Sequence, residues 1–173
     1  MNQPTLYMMF GYPGAGKTTA ADVIKKLTGA EHLSSDQLRS ELFPESTFSQ
    51  AEHDELYRTL DKKTEELLKA GKSVIYDANL NRHQHRQDKY DICRRLGVKS
   101  LLLWVQTPRT MAKQRAGHHS RQHLWPADET PDQLFDRIAE VIEEPNQATE
   151  PFIVIDGTKV TEDYVRSQLH TTN

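Results

Sequence analysis

Three glycines, a lysine and two threonines stand close together near the start of the chain, in the segment GYPGAGKTT at residues 11–19. Because glycine has no Cβ, the backbone N–H groups of such a segment can turn towards a ligand and approach it closely. Lys17 adds a positive charge, and Thr18 adds a hydroxyl group that can bind a hard cation. These residue types predict a site for phosphate groups.

The spacing of these residues matches G-x-x-x-x-G-K-[ST], a loop in which the lysine reaches the β- and γ-phosphates and the hydroxyl binds Mg²⁺. An apolar run precedes the loop and a helical pattern follows it, so the helix N-terminus would face the same phosphates. A glycine-rich turn without a ligand is the alternative, which this strand–loop–helix context disfavours. The predicted ATP contacts in the loop are Gly11, Pro13, Gly14, Ala15, Gly16, Lys17, Thr18 and Thr19.

A carboxylate and an arginine follow the second apolar run, in the segment SSDQLR at residues 34–39. Asp36 and Arg39 are three residues apart, which places them on one face of a helix. Asp36 could act as a general base towards an attacking hydroxyl group, while Arg39 stabilises phosphate charge. The alternative is that Ser35 or Asp36 only caps the helix.

The third apolar run ends in an acidic residue, Asp77, and Asn79 follows two positions later. An acidic residue at such a strand end typically holds Mg²⁺ or its water shell, here together with Thr18. The alternatives are a plain surface aspartate and an asparagine that only shapes the turn. The predicted acceptor contacts are Asp36, Arg39, Asp77, Asn79 and Arg82.

An aperiodic segment, Gly117–Glu129, follows the fourth apolar run and contains or adjoins several basic residues. Glycine and arginine in such a segment suit a lid, at about residues 109–129, that brings an arginine to a transferring phosphoryl group. The alternative is an ordinary basic surface loop. A zinc site at His118, His119 and His123 is disfavoured by their spacing, and Trp125 could pack in the core or stack on a base.

Strand-length apolar runs alternate with helical patterns along the whole chain, which predicts parallel strands joined by crossover helices. The predicted strands are Thr5–Phe10, Glu31–Ser34, Ser73–Tyr76, Lys99–Gln106 and Phe152–Ile155. The predicted helices are Thr18–Leu27, Asp36–Phe43, Gln50–Ala70, Arg82–Leu96, Pro108–Arg115, Pro131–Glu143 and Thr161–Leu169. We expect a single α/β domain over residues 1–173, with a five-stranded parallel sheet in the order 2-3-1-4-5 and helices on both faces.

The composition is that of an ordinary globular chain of 173 residues, 36% hydrophobic and 27% charged, with a net charge of −3. This charge excludes a globally basic nucleic-acid binder, although the stretches 82–95 and 109–123 are locally basic and could face polyanions. The sequence contains no apolar run of membrane-spanning length and one cysteine, Cys93, so we expect no membrane partner and a cytoplasmic location.

Three blocks of the sequence, GYPGAGKTT, SSDQLR and VIYDANLNRHQHR, together resemble the phage-type polynucleotide 5′-hydroxyl kinase domain and the wider group of small P-loop kinases, which includes the zeta-toxin-like kinases. The likeness covers roughly Thr5 to Arg121. It implies that Lys17 and Thr18 hold ATP and Mg²⁺.

The same resemblance implies roles for the remaining site residues. Asp36 would be the base and Arg39 the phosphate-clamping arginine, which Asp77 would orient. Arg121 is the best match for the lid arginine on the transferring phosphate, and Arg115 is the second.

We therefore expect an ATP- and Mg²⁺-dependent kinase that phosphorylates a hydroxyl group, with the 5′-hydroxyl end of RNA or DNA favoured as acceptor. A small-molecule hydroxyl, such as that of a nucleoside or sugar, is the first alternative, supported by the net negative charge. A nucleotide-switched ATPase is the second alternative, which Asp36 and Arg39 disfavour because a switch needs a group that positions water.

Overall fold

A computed structural model describes residues 3–118 and 128–171 of the chain. Its sheet contains five strands: β1 (Thr5–Phe10), β2 (Glu31–Ser34), β3 (Val74–Asp77), β4 (Lys99–Gln106) and β5 (Phe152–Asp156). All pairs are parallel, and the strand order β2-β3-β1-β4-β5 confirms the prediction. In this order β1 lies at the centre, so the loop that follows it opens at the middle of the carboxyl edge.

Seven helices connect and cover the strands: α1 (Lys17–Thr28), α2 (Ser35–Leu42), α3 (Gln50–Lys69), α4 (His83–Leu96), α5 (Arg109–His118), α6 (Pro131–Glu140) and α7 (Glu162–His170). Their bounds lie within three residues of the predicted ones. The main differences are that α5 extends to His118 and that α6 already ends at Glu140. None of the helices in the described part of the chain is long and apolar enough to cross a membrane.

The two faces of the sheet carry separate cores, because successive side chains of a strand point to opposite sides. On β1, Leu6 and Met8 pack into the core formed with α2, α3 and α4, whereas Met9 packs into the core formed with α1 and α7. Cys93 lies on the α4 side and is 2% exposed. Burial raises the pKa of its thiol to about 11.

Internal ion pairs hold α4 in place. Arg86 is fully buried and donates to Glu150 through Nε at 2.7 Å and Nη2 at 2.9 Å. Lys89, which is 4% exposed, donates to Asp61. Arg94 and Arg95 also pair with carboxylates, those of Asp91 and Glu65. Arg86 and Lys89 are therefore paired inside the protein, whereas the pairs of Arg94 and Arg95 lie at the surface, where these two side chains are 67% and 57% exposed.

Candidate active site

A cleft of about 940 Å³ opens at the carboxyl ends of β1, β2 and β3. The β1–α1 loop forms its floor, the start of α2 and the end of β3 form one side, and α5, α6 and the segment after β5 form the other. The cleft brings together Gly11, Pro13, Gly14, Gly16, Lys17, Thr18, Thr19, Asp36, Arg39, Asp77, Asn79 and Arg115. Most of the predicted site residues in the described ranges thus share one cavity, as the topology of a parallel sheet requires.

The β1–α1 loop has a backbone conformation that depends on glycine. Gly14 has φ +76°, and a Cβ at this position would lie 2.1 Å from the carbonyl oxygen of Ala112 on α5. The loop and α5 therefore pack with no side chain between them. Lys17 Nζ donates to the carbonyl oxygens of Gly11 and Tyr12, both at 2.9 Å, which holds the ammonium group over the loop.

The carboxylate of Asp77 connects this loop to β2. Thr18 Oγ1 donates to Asp77 Oδ2 at 3.0 Å, and His32 Nε2 lies 3.0 Å from the same oxygen. Burial raises the pKa of Asp77, but the His32 hydrogen bond and the charge of Lys17 outweigh it, so the net pKa lies below its ordinary value. Asp77 is therefore charged at neutral pH although it is only 7% exposed.

The Thr18 and Asp77 oxygens fit a Mg²⁺ ion, because this small hard cation prefers oxygen ligands. In the described ranges, no three His, Cys, Asp or Glu residues are grouped so that they alone could hold a metal. Mg²⁺ is usually held by one or two protein oxygens together with phosphates and water.

Asp36 lies in the first turn of α2, half-buried at the edge of the cleft. The helix is capped by Ser34, whose hydroxyl accepts a hydrogen bond from the backbone N–H of Gln37 at 3.4 Å. The alternative in which Ser35 or Asp36 is the cap is therefore wrong. Because another residue caps the helix, the Asp36 carboxylate is not required for this purpose.

Arg39 is held by the loop before α3 rather than by β3. Its Nη1 atom lies 3.5 Å from Ser46 Oγ and 3.9 Å from Glu52 Oε2, and its guanidinium group lies 5.2 Å from the centre of the Phe48 ring. The resemblance implied that Asp77 orients Arg39. The structure corrects this, because the carboxylate within ion-pair distance of Arg39 is that of Glu52.

Sequence reasoning missed the residues that line the cleft between α2 and α3. Phe48, His53 and Tyr57 face it next to Asp36 and Arg39. Ser49 and Glu52 have the S-x-x-E spacing of a helix start, which could have drawn attention to this segment. The pattern gives no indication that the Glu52 side chain turns back onto residues 46–48.

Asn79 and Arg82 follow β3. The backbone N–H of Asn79 donates to Tyr57 Oη at 3.1 Å, and Asn79 Oδ1 accepts from the backbone N–H of Asn81 at 3.0 Å. The side chain of Asn79 thus shapes the turn while it also lines the cleft. Arg82 is exposed at the N-cap of α4 and does not line the cleft, so the structure does not support its predicted contact with the acceptor.

The opposite side of the cleft joins the phosphate loop to the segment after β5. Arg115 Nη1 donates to the carbonyl oxygen of Gly157 at 3.1 Å, and Thr107 Oγ1 donates to that of Ala15 at 2.8 Å. A Cβ at Gly157 would lie 2.1 Å from the Ala15 oxygen, so only glycine fits there. The sequence analysis overlooked Gly157, which belongs to no motif.

The remaining lid residues named from the sequence, Arg121, His119, His123 and Trp125, lie outside the described residues. His118 ends α5, and its Nδ1 atom lies 2.6 Å from the carbonyl oxygen of Gln114. The part of the predicted lid that the structure describes before residue 119 is thus a helix. Lys113 of α5 donates to Asp136 of α6 at 2.6 Å and joins the two helices.

The five-stranded parallel sheet in this order, with a glycine loop leading into α1, defines a P-loop NTPase fold. The chain belongs to the family described as the AAA domain, whose profile matches residues 6–145. A comparison with curated proteins finds no significant match.

Solved structures with the same fold include several kinases. A sugar kinase from a Janibacter species is 21% identical, with 98% of this chain and 94% of that chain covered and a TM-score of 0.66. A gluconokinase from Sinorhizobium meliloti is 14% identical, with coverages of 98% and 92% and a TM-score of 0.67. The Pnkp1/Rnl/Hen1 RNA repair complex contains a chain that is 18% identical, with coverages of 82% and 45% and a TM-score of 0.66. At these identities the likeness establishes the fold.

Proposed function

We propose that this chain is an ATP-dependent phosphotransferase that phosphorylates a hydroxyl group of a small molecule, and that residues 1–173 act as one domain. The observation that carries the proposal is the shared cleft. It places a phosphate loop with its lysine beside a carboxylate and an arginine at the start of α2. A carboxylate beside the phosphate loop is suited to accept a proton from an attacking hydroxyl group.

The proposed reaction uses the residues of the cleft in separate roles. Lys17 and the loop N–H groups bind the β- and γ-phosphates of ATP, while Thr18 and Asp77 would hold Mg²⁺, which neutralises phosphate charge when bound. Asp36 accepts the proton of the acceptor hydroxyl as its oxygen bonds to the γ-phosphorus. The bond between the γ-phosphorus and the β,γ-bridging oxygen breaks, and ADP and a phosphate monoester leave.

Arg39 would stabilise negative charge on the transferring phosphoryl group. Arg121, the lid arginine implied by the sequence resemblance, would do the same. Such catalysis consists mainly of positioning and electrostatic stabilisation, because the protein forms no covalent intermediate. Arg115 and Gly157 lie on the far side of the phosphate loop, where the nucleoside part of ATP would extend.

Two observations favour a small-molecule acceptor. Solved structures with the same fold over nearly the whole chain include a sugar kinase and a gluconokinase. In addition, two of the five basic residues at 82–95, Arg86 and Lys89, are buried and paired with carboxylates, which weakens one of the features expected to attract a polynucleotide. A cytoplasmic location stays a prediction of the composition.

A 5′-hydroxyl end of RNA or DNA is the second candidate acceptor. The sequence resemblance to polynucleotide kinases favours it, as does the structural likeness to a chain of an RNA repair complex. A polynucleotide acceptor would bind more weakly as the salt concentration rises, in proportion to the phosphates contacted, and an uncharged small molecule would not.

The test offers γ-labelled ATP and Mg²⁺ to nucleosides, sugars, other alcohols and 5′-hydroxyl oligonucleotides, and identifies the compounds that acquire label. Lys17→Ala should abolish both ATP binding and transfer. Asp36→Ala should retain ATP binding and lower turnover by about 10²–10⁴-fold, the range for a general base. Near-normal turnover by Asp36→Ala would contradict the role of this residue.

A further inference from the structure

The guanidinium group of Arg39 is held by three residues of the α2–α3 connection and the start of α3. Its Nη1 atom lies 3.5 Å from the hydroxyl oxygen of Ser46 and 3.9 Å from the carboxylate of Glu52. The group also lies over the Phe48 ring, 5.2 Å from the ring centre. The Arg39 side chain lines the cleft and is only 12% exposed, so these contacts restrict a group that a ligand in the cleft can reach.

Glu52 fixes the segment that supplies the other two contacts. Its carboxylate accepts hydrogen bonds from the hydroxyl groups of Ser46 at 2.7 Å and Thr47 at 2.8 Å, and from the backbone N–H groups of Thr47 and Phe48, each at 3.0 Å. These bonds, led by that from the Thr47 backbone, lower the pKa of Glu52 to about 2, so the carboxylate is charged at neutral pH. Hydrogen bonds to a charged acceptor are among the stronger ones in proteins. One carboxylate therefore holds both Ser46 and Phe48 in place.

Phe48 has a strained backbone that depends on these bonds. Its φ is +55°, in the left-handed region, and within the described ranges it is the one residue other than glycine with a positive φ. Such a conformation costs free energy and persists only where the surroundings impose it. Here the N–H group of Phe48 donates to Glu52 and also to the Ser46 hydroxyl at 3.3 Å. The strained turn places the Phe48 ring against the guanidinium group of Arg39.

From this arrangement we infer that Glu52 is a positioning residue for phosphoryl transfer, which holds Arg39 in place for the transferring phosphoryl group through residues 46–48 and through its own charge. The inference rests on the proposed function. It gives Glu52 the role that the sequence resemblance implied for Asp77. Glu52 is not among the residues that line the cleft, so its effect on the reaction must pass through Arg39.

The chemical benefit lies in the planar, forked shape of the guanidinium group. The contacts described above involve Nη1 and one face of the group, and its Nε–Nη2 edge carries two parallel N–H groups that can bind two phosphate oxygens together. A free arginine side chain would lose rotamer freedom when it binds in this way. An arginine that is already held in place stabilises the charge of the transition state with little reorganisation. We therefore expect Glu52 to affect turnover more than ATP binding.

The first experiment measures transfer by the full-length protein with ATP, Mg²⁺ and the alcohol that acquires most label from γ-labelled ATP. Arg39→Ala should lower kcat by about 10²–10³-fold, the range for removal of one preorganised donor. Glu52→Gln should lower kcat by about 10–100-fold with little change in KM for ATP, because a catalytic group misplaced by about 1 Å can cost about 10²-fold. Glu55→Gln, on the exposed side of the same helix, is the matched control and should change neither constant.

The double variant Arg39→Ala, Glu52→Gln shows whether Glu52 acts through Arg39. Without Arg39 there is no guanidinium group to position, so the double variant should be as fast as Arg39→Ala alone. Losses that multiply would show that Glu52 acts independently, and would overturn the inference. Ser46→Ala removes the hydroxyl group that contacts both Arg39 and Glu52 and is the milder variant to use if Glu52→Gln does not fold. It should lower kcat in the same way to a smaller extent, and an unchanged kcat would count against the inference.

The second experiment follows the guanidinium group without the reaction. The Nε–H resonance of Arg39 is assigned in ¹⁵N–¹H NMR spectra by its absence from those of Arg39→Ala. Glu52→Gln should shift this resonance towards the position of exposed arginines, because the group is then less restricted, and Glu55→Gln should leave it unchanged. This measurement needs no acceptor.

The outcomes separate the two proposals. An unchanged Arg39 resonance in a folded Glu52→Gln protein, or a kcat for this variant equal to that of Glu55→Gln, would overturn the inference. A shifted resonance in a protein that labels no alcohol would instead overturn the proposed function, while the hold of Glu52 on Arg39 would stand.

Discussion

Thr18 Oγ1 donates a hydrogen bond to Asp77 Oδ2 across 3.0 Å, and this bond joins the first turn of α1 to the end of β3. The same Asp77 oxygen lies 3.0 Å from His32 Nε2, so three elements converge on a single carboxylate. The predicted ligands for Mg²⁺ are thus positioned relative to each other by the fold.

Removal of the Thr18 hydroxyl should raise the Mg²⁺ requirement of the protein. We expect Thr18→Val to weaken Mg²⁺-dependent ATP binding by at least about 10–100-fold, the range for removing a residue that supports a metal ligand. Titration calorimetry with ATP at graded Mg²⁺ concentrations provides the measurement. Thr18→Ser, which keeps the hydroxyl group, should restore near-normal binding, and equal affinities for all three proteins would contradict a role for this oxygen.

The contact between the phosphate loop and α5 should make Gly14 intolerant of any side chain. Gly14→Ala places a Cβ 2.1 Å from the Ala112 oxygen at positive φ, so one of the two backbones must move. We expect a loss of about 2–4 kcal/mol in the free energy of unfolding, measured with urea, because overpacking adds to the cost of the left-handed conformation.

Gly71→Ala provides the control for this prediction. Gly71 also has a positive φ, of +79°, but a Cβ there meets nothing within 4 Å. It should therefore show only the cost of the left-handed conformation, about 1 kcal/mol. If Gly14→Ala and Gly71→Ala lowered the free energy of unfolding equally, steric contact with α5 would not be the cause of the Gly14→Ala effect.

The buried pair Arg86–Glu150 should be costly to break from one side only. Glu150→Ala leaves an uncompensated guanidinium group that is fully buried, which predicts a loss of about 3–5 kcal/mol in urea unfolding. The double variant Arg86→Met, Glu150→Leu should recover most of this loss, since no charge then remains. Removing Glu65, whose pair with Arg95 is largely exposed, should cost at most about 1 kcal/mol.

Glu52 should contribute to stability in a pH-dependent way. Its folded-state pKa of about 2 lies below the ordinary value of 4.5, so the stabilisation is fully present above pH 4.5 and disappears as the pH falls towards 2. Urea unfolding of the wild type and of Glu52→Gln should therefore differ most at pH 5–7, and the difference should shrink below pH 4.5 and vanish only as the pH approaches 2. A difference that stays constant over this range would show that the carboxylate charge is not responsible.

The strand order and the phosphate loop could be predicted because both depend on local signals. Apolar runs of strand length alternate with helical patterns, and the spacing of Gly11, Gly16, Lys17 and Thr18 is specific to one kind of loop. The carboxyl ends of parallel strands then had to bring Asp36 and Asp77 to the same edge as that loop. Their roles in chemistry stay predictions.

The residues that line the cleft between α2 and α3 could not be predicted, because their positions depend on side-chain contacts between segments with no fixed spacing. Glu52 has the position of a residue in a helix-capping pattern, yet its carboxylate binds the loop that precedes the helix.

The basic stretch 82–95 was misleading for a related reason. Its charges appear exposed in a helical projection, whereas Arg86 and Lys89 point inwards to carboxylates that are distant in sequence.

Cys93, the sole thiol of the chain, is enclosed between α4 and the sheet and remains protonated at neutral pH. A second cysteine introduced at an exposed position, such as Glu45 in the α2–α3 connection, would be the one site open to maleimide reagents while the protein stays folded. A fluorophore attached there could report ligand entry next to Phe48 without prior removal of the native cysteine.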